Sequence, residues 1–392
     1  MTCFFDNRYR NNFFVQKLFL WLFYIDLFLG LCPAWRGSFI FNTISYDSFM
    51  KIWLYGGIIS MIFLSFIILC IQKKIYSPSI FYTTSILCVS FVFSILVNGF
   101  KSGAFAIIGI PLSYWVIFDI LKWYQFDQKH LKRAFYALLL WSILPILYFS
   151  YSSVGTRLLF ITGPEGNLLT FGGFAQHRNF YGIFLGVTFI CTLIWKMKVF
   201  YKMILCILLS IGLVMSVCRT AILSIVVAMG YYLFAHPKIS LWKKLFFLLL
   251  LLGGGVLIYL FLSDSLLAGR DISDNDDRLE LWTGMIEIIK DNFWFGVGEE
   301  ALYFSEGFPD GAPAHNFILA AWANYGIFVF LSFLFLLIMI FKYSDFYFKT
   351  FLIYLICWGI TQPYFGCSVI SIHILVPLFI GHLLDNNNQL VY

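Results

Sequence analysis

Four arginines and two histidines stand out in a chain that is otherwise poor in charge. The first cluster is Gln176-His177-Arg178-Asn179, following the turn-rich stretch Gly163-Pro164-Glu165-Gly166-Asn167. The second is Arg219, with Leu223 one helical turn later. The third pairs Arg278 with His315-Asn316, some forty residues on. Arg157 stands alone ahead of the first cluster. A guanidinium group offers a planar fork that grips two phosphate oxygens at once. An imidazole, with an unperturbed pKa of about 6.5, can take a proton from a hydroxyl near neutral pH. The arginines thus invite phosphate binding, and the histidines can do acid–base work. The plainer reading is that the arginines make local ion pairs and that His315 caps or anchors a helix. No GxGxxG or P-loop pattern occurs, and Gly296-x-Gly298 reads as a turn.

Metal chemistry has one candidate. Asp274-Asn275-Asp276, inside the acidic stretch 271–277, is a D-x-D, a pattern that can hold a divalent ion. An EF-hand fails, because no glycine stands at position 6 from Asp271 or Asp274. The same acids suit a helix start, where carboxylates meet the positive end of the dipole. That reading is adopted, with no metal and no cofactor expected. The nine cysteines form no C-x-x-C pair and mostly lie in apolar runs, as small core residues.

The elements that must position these residues are membrane spans. The chain is 61% hydrophobic and 12% charged, about half the charge of an average soluble protein. Such a surface does not suit water, and no basic block points to nucleic acid. Apolar runs close to 20 residues recur throughout, the length that crosses a bilayer. They predict twelve spans, at 13–32, 49–71, 79–98, 103–121, 134–151, 180–195, 203–217, 220–235, 245–263, 316–341, 350–362 and 368–384. No small-residue cleavage site follows the first run, so it is expected to remain as a helix. One domain over 1–392 is expected, with a large loop at 264–315.

Basic residues set the orientation. With the N-terminus in the cytoplasm, 17 of the 26 lysines and arginines fall inside and 9 outside. The same rule divides 203–235 into a hairpin. A single span there would put Arg219 near the bilayer centre, at a cost of several kcal/mol, and would turn Lys238, Lys243 and Lys244 outward. The inside residues are mostly lysine, needed only for their charge. Six of the nine outside residues are arginine, and all three clusters lie on that side. Within the loop, 278–290 carries Leu279, Trp282, Met285 or Ile286, and Ile289 at helical spacing, so one face can lie on the bundle.

These motifs resemble those of the O-antigen ligases. Arg219 to Leu223 resembles the family's R-x3-L element. His315-Asn316, nine residues and then Gly326 resemble its H-[NSQ]-x9-G-x-x-[GTY] element, departing at the last position, Val329. The run from Arg278-Leu279-x-Leu281-Trp282 to Phe295-Gly296-Val297-Gly298 is similar to the wider ligase and polymerase superfamily. That superfamily often has His-Pro-Asn before the sixth span, where this chain has His177-Arg178-Asn179. The resemblance covers about 155–335. It implies an all-α, GT-C-like integral membrane protein of about twelve helices with one large periplasmic loop containing helices. It implies a multi-pass protein of the bacterial inner membrane, active on its periplasmic face. It further implies a donor glycan on undecaprenyl pyrophosphate, an acceptor sugar on lipid A–core, and inverting, metal-independent transfer. Arg219, Arg278 and His315 would then be catalytic. Arg157, His177, Arg178, Asn179 and Asn316 would bind substrate.

Two rivals remain. A polymerase of the same superfamily would be expected to carry R-x10-G, but Leu168 and Ile289 stand eleven residues after Arg157 and Arg278. A twelve-span transporter or flippase would be expected to show internal repeats and midplane polar sites, and neither is evident.

Overall fold

The structure is a computed structural model. It describes residues 77–99, 128–151, 160–162, 169–172, 178–216, 218–237, 276–298, 316–360 and 372–386, and isolated positions elsewhere. The expected spans 13–32, 49–71, 103–121 and 245–263 lie outside the described residues, apart from a few such positions.

Helices dominate. They are α1 (Pro78–Asn98), α2 (Gln128–Tyr151), α3 (Arg178–Ile194), α4 (Val199–Ser216), α5 (Arg219–Ala235), α6 (Asp276–Asp291), α7 (Phe317–Tyr343), α8 (Phe346–Gly359) and α9 (Ile372–Asn386). Two short strands, β1 (Phe160–Thr162) and β2 (Leu169–Phe171), pair antiparallel with Phe160 opposite Phe171. They form one small two-stranded sheet beside a fold that is otherwise helical among the described residues. Among the described residues, α1, α4 and α7 are long and apolar enough to cross a membrane, and shorter apolar helices accompany them.

The division of 203–235 holds. Helix α4 ends at Ser216, and α5 begins at Arg219 behind Cys218. Both pack on α3, which lies between the two arms. Close approach depends on small residues. A Cβ on Gly182 would lie 2.6 Å from Cys218 Sγ, and one on Gly186 would lie 2.1 Å from the Tyr354 hydroxyl. This glycine pair, one turn apart, lets α5 and α8 approach the backbone of α3 in the manner of membrane helix packing. Tyr354 uses the proximity to donate to the Ile183 carbonyl at 3.1 Å. Helix α2 is laced to α3 by Ser142 with Thr188 at 2.8 Å and by Tyr181 Oη donating to the Ser142 carbonyl at 2.6 Å.

The contacts sort the helix ends into two groups. At one end, Phe135 of α2 stacks on Trp195 after α3. There too Tyr232 and His236 of α5 meet Phe346 at the start of α8. Asp385 of α9 accepts from the Tyr347 and Phe348 amides at 2.8 and 2.9 Å, placing a carboxylate at the α8 N-terminus. This end holds lysines, and two do more than supply charge. Lys202 donates to the Leu193 carbonyl at 2.8 Å, and Lys244 to the Phe234 carbonyl at 2.7 Å. They satisfy carbonyls left open at the C-terminal ends of α3 and α5, which corrects the expectation that only their charge mattered. The opposite end gathers the starts of α3 and α5, the C-termini of α1 and α4, and the join between α6 and α7.

Candidate functional site

The site is best built from Asn316. Its side-chain carbonyl accepts from the Ile318 and Leu319 amides at 2.9 and 3.2 Å, capping α7. After nine helical residues, 317–325, the helix breaks. Gly326 has φ 83° and ψ 177°, a backbone region that glycine alone occupies comfortably. Helix α7 is therefore two pieces, 317–325 and 327–343, and the single span expected over 316–341 is corrected accordingly. The spacing from Asn316 to Gly326 is the length of a short capped helix with a forced stop.

A strap of backbone from the preceding loop fills the break. In an unbroken helix the Ile327 amide would donate to the Ala323 carbonyl. Here it donates to the Phe293 carbonyl at 3.0 Å, while the Ala323 carbonyl accepts from Val297 at 2.9 Å. The Asn324 carbonyl accepts from the Gly298 amide at 2.8 Å. The groups freed by the break are thus satisfied within the protein, as an apolar surrounding demands. Two more positive-φ glycines shape the strap, Gly296 at 69° and Gly298 at 78°. The turn itself runs over 292–295, just ahead of the expected Gly296-x-Gly298, and the glycine pair that follows docks on α7. A Cβ on Gly326 would lie 2.1 Å from the Trp294 carbonyl oxygen, and one on Gly296 would lie 2.5 Å from the Asn324 carbonyl. Trp322 Nε1 also donates to the Phe293 carbonyl, at 3.3 Å.

Helix α6 runs into this strap. Its buried stripe is Leu281, Met285 and Ile289, which packs on Ala320, Ala321 and Ala323 of the first piece of α7. Of the expected stripe, Met285 rather than Ile286 is buried, Ile289 is buried with it, Trp282 packs against the same cluster, and Leu281 joins them. Trp282 Nε1 on α6 and Asn324 Oδ1 on α7 are buried without a hydrogen-bond partner among the described residues. Val329, where the motif departs from the family pattern, is buried in the main core beside Tyr325 and Phe333.

The structure places the proposed residues unevenly. Arg219 is the first residue of α5 and is exposed; Leu223, one turn on, shares its face and is also exposed. Arg178 is the first residue of α3, and Asn179 beside it is buried. Because Gly182 touches Cys218 and Ala221, the starts of α3 and α5 lie side by side. Arg278 is in the first turn of α6, and so is Asp276, the second acid of the D-x-D. Arg157, His177, Asp274 and His315 lie outside the described residues. His315 directly precedes the cap Asn316 in the chain. Tyr181, Cys218 and Phe317 belong to one core, so both groups of helix starts rest on common ground. Among the described residues, Cys88, Cys191, Cys206 and Cys357 are free thiols.

Residues 204–334, about a third of the chain, match the family model described as O-antigen ligase. That segment is similar to the O-antigen ligase family. No curated protein matches the chain. The matched segment runs from α4 into the second piece of α7. It contains Arg219, Leu223, Arg278, His315, Asn316, Gly326 and the whole strap. The cluster at 176–179 and Arg157 fall outside it. Members of the O-antigen ligase and polymerase type are glycosyltransferase-like enzymes, and with these apolar helices the chain is a membrane protein.

Proposed function

We propose that the protein is an O-antigen ligase that transfers a glycan from undecaprenyl pyrophosphate to a sugar hydroxyl of lipid A–core. The observation that carries this reading is the helix from Asn316 to Gly326. The spacing of the ligase motif corresponds here to a physical object, a capped helix with a glycine stop, strapped to the loop that follows α6. His315 stands immediately before that cap and Arg278 in the first turn of α6. The periplasmic face of the bacterial inner membrane is the proposed site of reaction, supported by Arg178 and Arg219 starting helices at the bundle end opposite the lysine-rich one.

In the proposed step the acceptor hydroxyl attacks the anomeric carbon while His315 takes its proton. The new C–O bond forms as the bond to pyrophosphate breaks, and its electron pair leaves with the phosphate. In-line attack inverts the anomeric configuration. Arg219 and Arg278 stabilise the charge that develops on the leaving group, each by about 2–4 kcal/mol if they act like other preorganised donors. Arg157, His177, Arg178, Asn179 and Asn316 line the path for donor or acceptor. Histidine and arginine suffice for this chemistry, so no metal is required.

Complementation of a ligase-null strain tests these roles, with membrane levels checked by blot. His315→Ala and His315→Gln should abolish long-chain lipopolysaccharide, since glutamine can bond at a helix end but cannot accept the proton. Arg219→Lys and Arg278→Lys should lose most activity, because lysine keeps the charge but not the fork. Normal chains from His315→Gln and from both lysine variants would defeat the assignment.

A further inference from the structure

Helix α1 lies outside the family-matched segment and carries none of the motif residues, yet its end is joined to the break in α7. Ser94 Oγ and Asn98 Nδ2 both donate to the Phe295 carbonyl, each at 2.8 Å. Ser94 is buried, and Asn98 is the last residue of α1. Gly99 ends the helix with φ 81°, its amide turning back to the Ile95 carbonyl at 2.7 Å. Phe295 is the middle of the strap, flanked by Trp294, whose carbonyl meets Gly326, and Gly296, which meets the backbone of Ala323 and Asn324. Two further contacts fix the register of α1 on α7. Phe91 meets Tyr325 edge-on at 4.9 Å, and Ser90 bonds Ser332 at 2.9 Å. The strap is thus clamped between two helices, with one carbonyl taking two side-chain donors.

We propose that Asn98 and Ser94 are positioning residues for the transfer reaction. By holding the Phe295 carbonyl they fix the strap. The strap in turn fixes α6, which carries Arg278, against the first piece of α7, which follows His315 and Asn316. This inference rests on the ligase reading for its catalytic consequence, while the mechanical part stands on the hydrogen bonds alone. A small shift of groups that must meet substrate in one geometry has large kinetic effects, so the clamp governs the rate of the bound complex more than its formation.

The test uses the full-length protein in nanodiscs. Asn98→Asp is nearly isosteric but its carboxylate cannot donate, whereas Asn98→Gln keeps the amide. Ser94→Ala serves as an independent variant. Spin labels at exposed position 290 on α6 and half-buried position 318 on the first piece of α7 report their separation without reference to activity. We expect Asn98→Asp and Ser94→Ala to broaden the distance distribution. Each should lower kcat about tenfold with KM for the lipid-linked donor unchanged, and Asn98→Gln should recover part of both. A narrow, wild-type distribution in both Asn98→Asp and Ser94→Ala would overturn the clamp. Broadening with unchanged kcat would overturn the positioning role and leave a structural one. If the wild-type protein transfers nothing, the ligase reading fails while the distance measurement still decides the clamp.

Discussion

Gly326→Ala is the sharpest perturbation of the site. The new methyl would lie 2.1 Å from the Trp294 carbonyl oxygen and 2.5 Å from the Phe295 amide nitrogen and Cα. It would also sit on a residue with φ 83° and ψ 177°. Backbone strain of this kind costs roughly 1–3 kcal/mol, and overpacking typically adds about 1–3 kcal/mol. The strap could instead peel away. That forfeits the bonds from Val297, Gly298 and Ile327, at about 1 kcal/mol each. Either route gives about 3 kcal/mol, a large share of a stability of roughly 5–15 kcal/mol. Gly230→Ala is the control. Gly230 lies inside α5 with nothing within 4 Å of an added Cβ, so alanine should be neutral or stabilise by up to about 1 kcal/mol. Unfolding in mixed micelles by titrated denaturing detergent would give both values, alongside glycan transfer. We expect Gly326→Ala to lose about 3 kcal/mol and most activity, and Gly230→Ala to lose neither. A Gly326→Ala protein with wild-type unfolding and transfer would refute the strapped break.

Asn324→Leu should stabilise the protein by about 1 kcal/mol in the same assay, because it removes a buried acceptor with no partner among the described residues; a loss of more than about 1 kcal/mol would show that the amide is satisfied. Transfer should continue in excess chelator; activity that vanishes with EDTA and returns with magnesium or manganese would make Asp274 and Asp276 ligands. A cysteine placed at position 300 on a cysteine-free background should label from outside in intact spheroplasts; labelling only after permeabilisation would reverse the proposed topology and remove the mechanism.

Much of the bundle was legible because apolar length is a strong signal. Pro78–Asn98 and Arg219–Ala235 lie within a residue of the expected 79–98 and 220–235. Splitting 203–235 required only the cost of burying Arg219. The break in α7 was not legible, since 317–343 is apolar on both sides of Gly326 and periodicity does not register one glycine's dihedral angles. The strap was missed for a related reason. Its bonds are made by backbone, so the side chains of 293–298 do not announce them. Gly182 and Gly186 mark close packing only once their neighbours are known. Ser94 and Asn98 looked like ordinary polar residues in a helical run. The stripe on α6 was legible in Trp282, Met285 and Ile289, whereas Leu281 was not read, because it joins them only against the partner face of Ala320, Ala321 and Ala323. Lys202 and Lys244 were counted for charge, although a lysine stem long enough to reach a helix end can also satisfy its carbonyls.

The central claim is tested most directly with the purified full-length protein in nanodiscs, given lipid-linked glycan together with lipid A–core and no other enzyme. The ligase reading predicts glycan joined to lipid A–core, with inverted anomeric configuration and release of undecaprenyl pyrophosphate. A ladder of longer glycans still on undecaprenyl pyrophosphate would contradict it in favour of a polymerase. Unchanged donor that merely crosses the bilayer would contradict it in favour of transport.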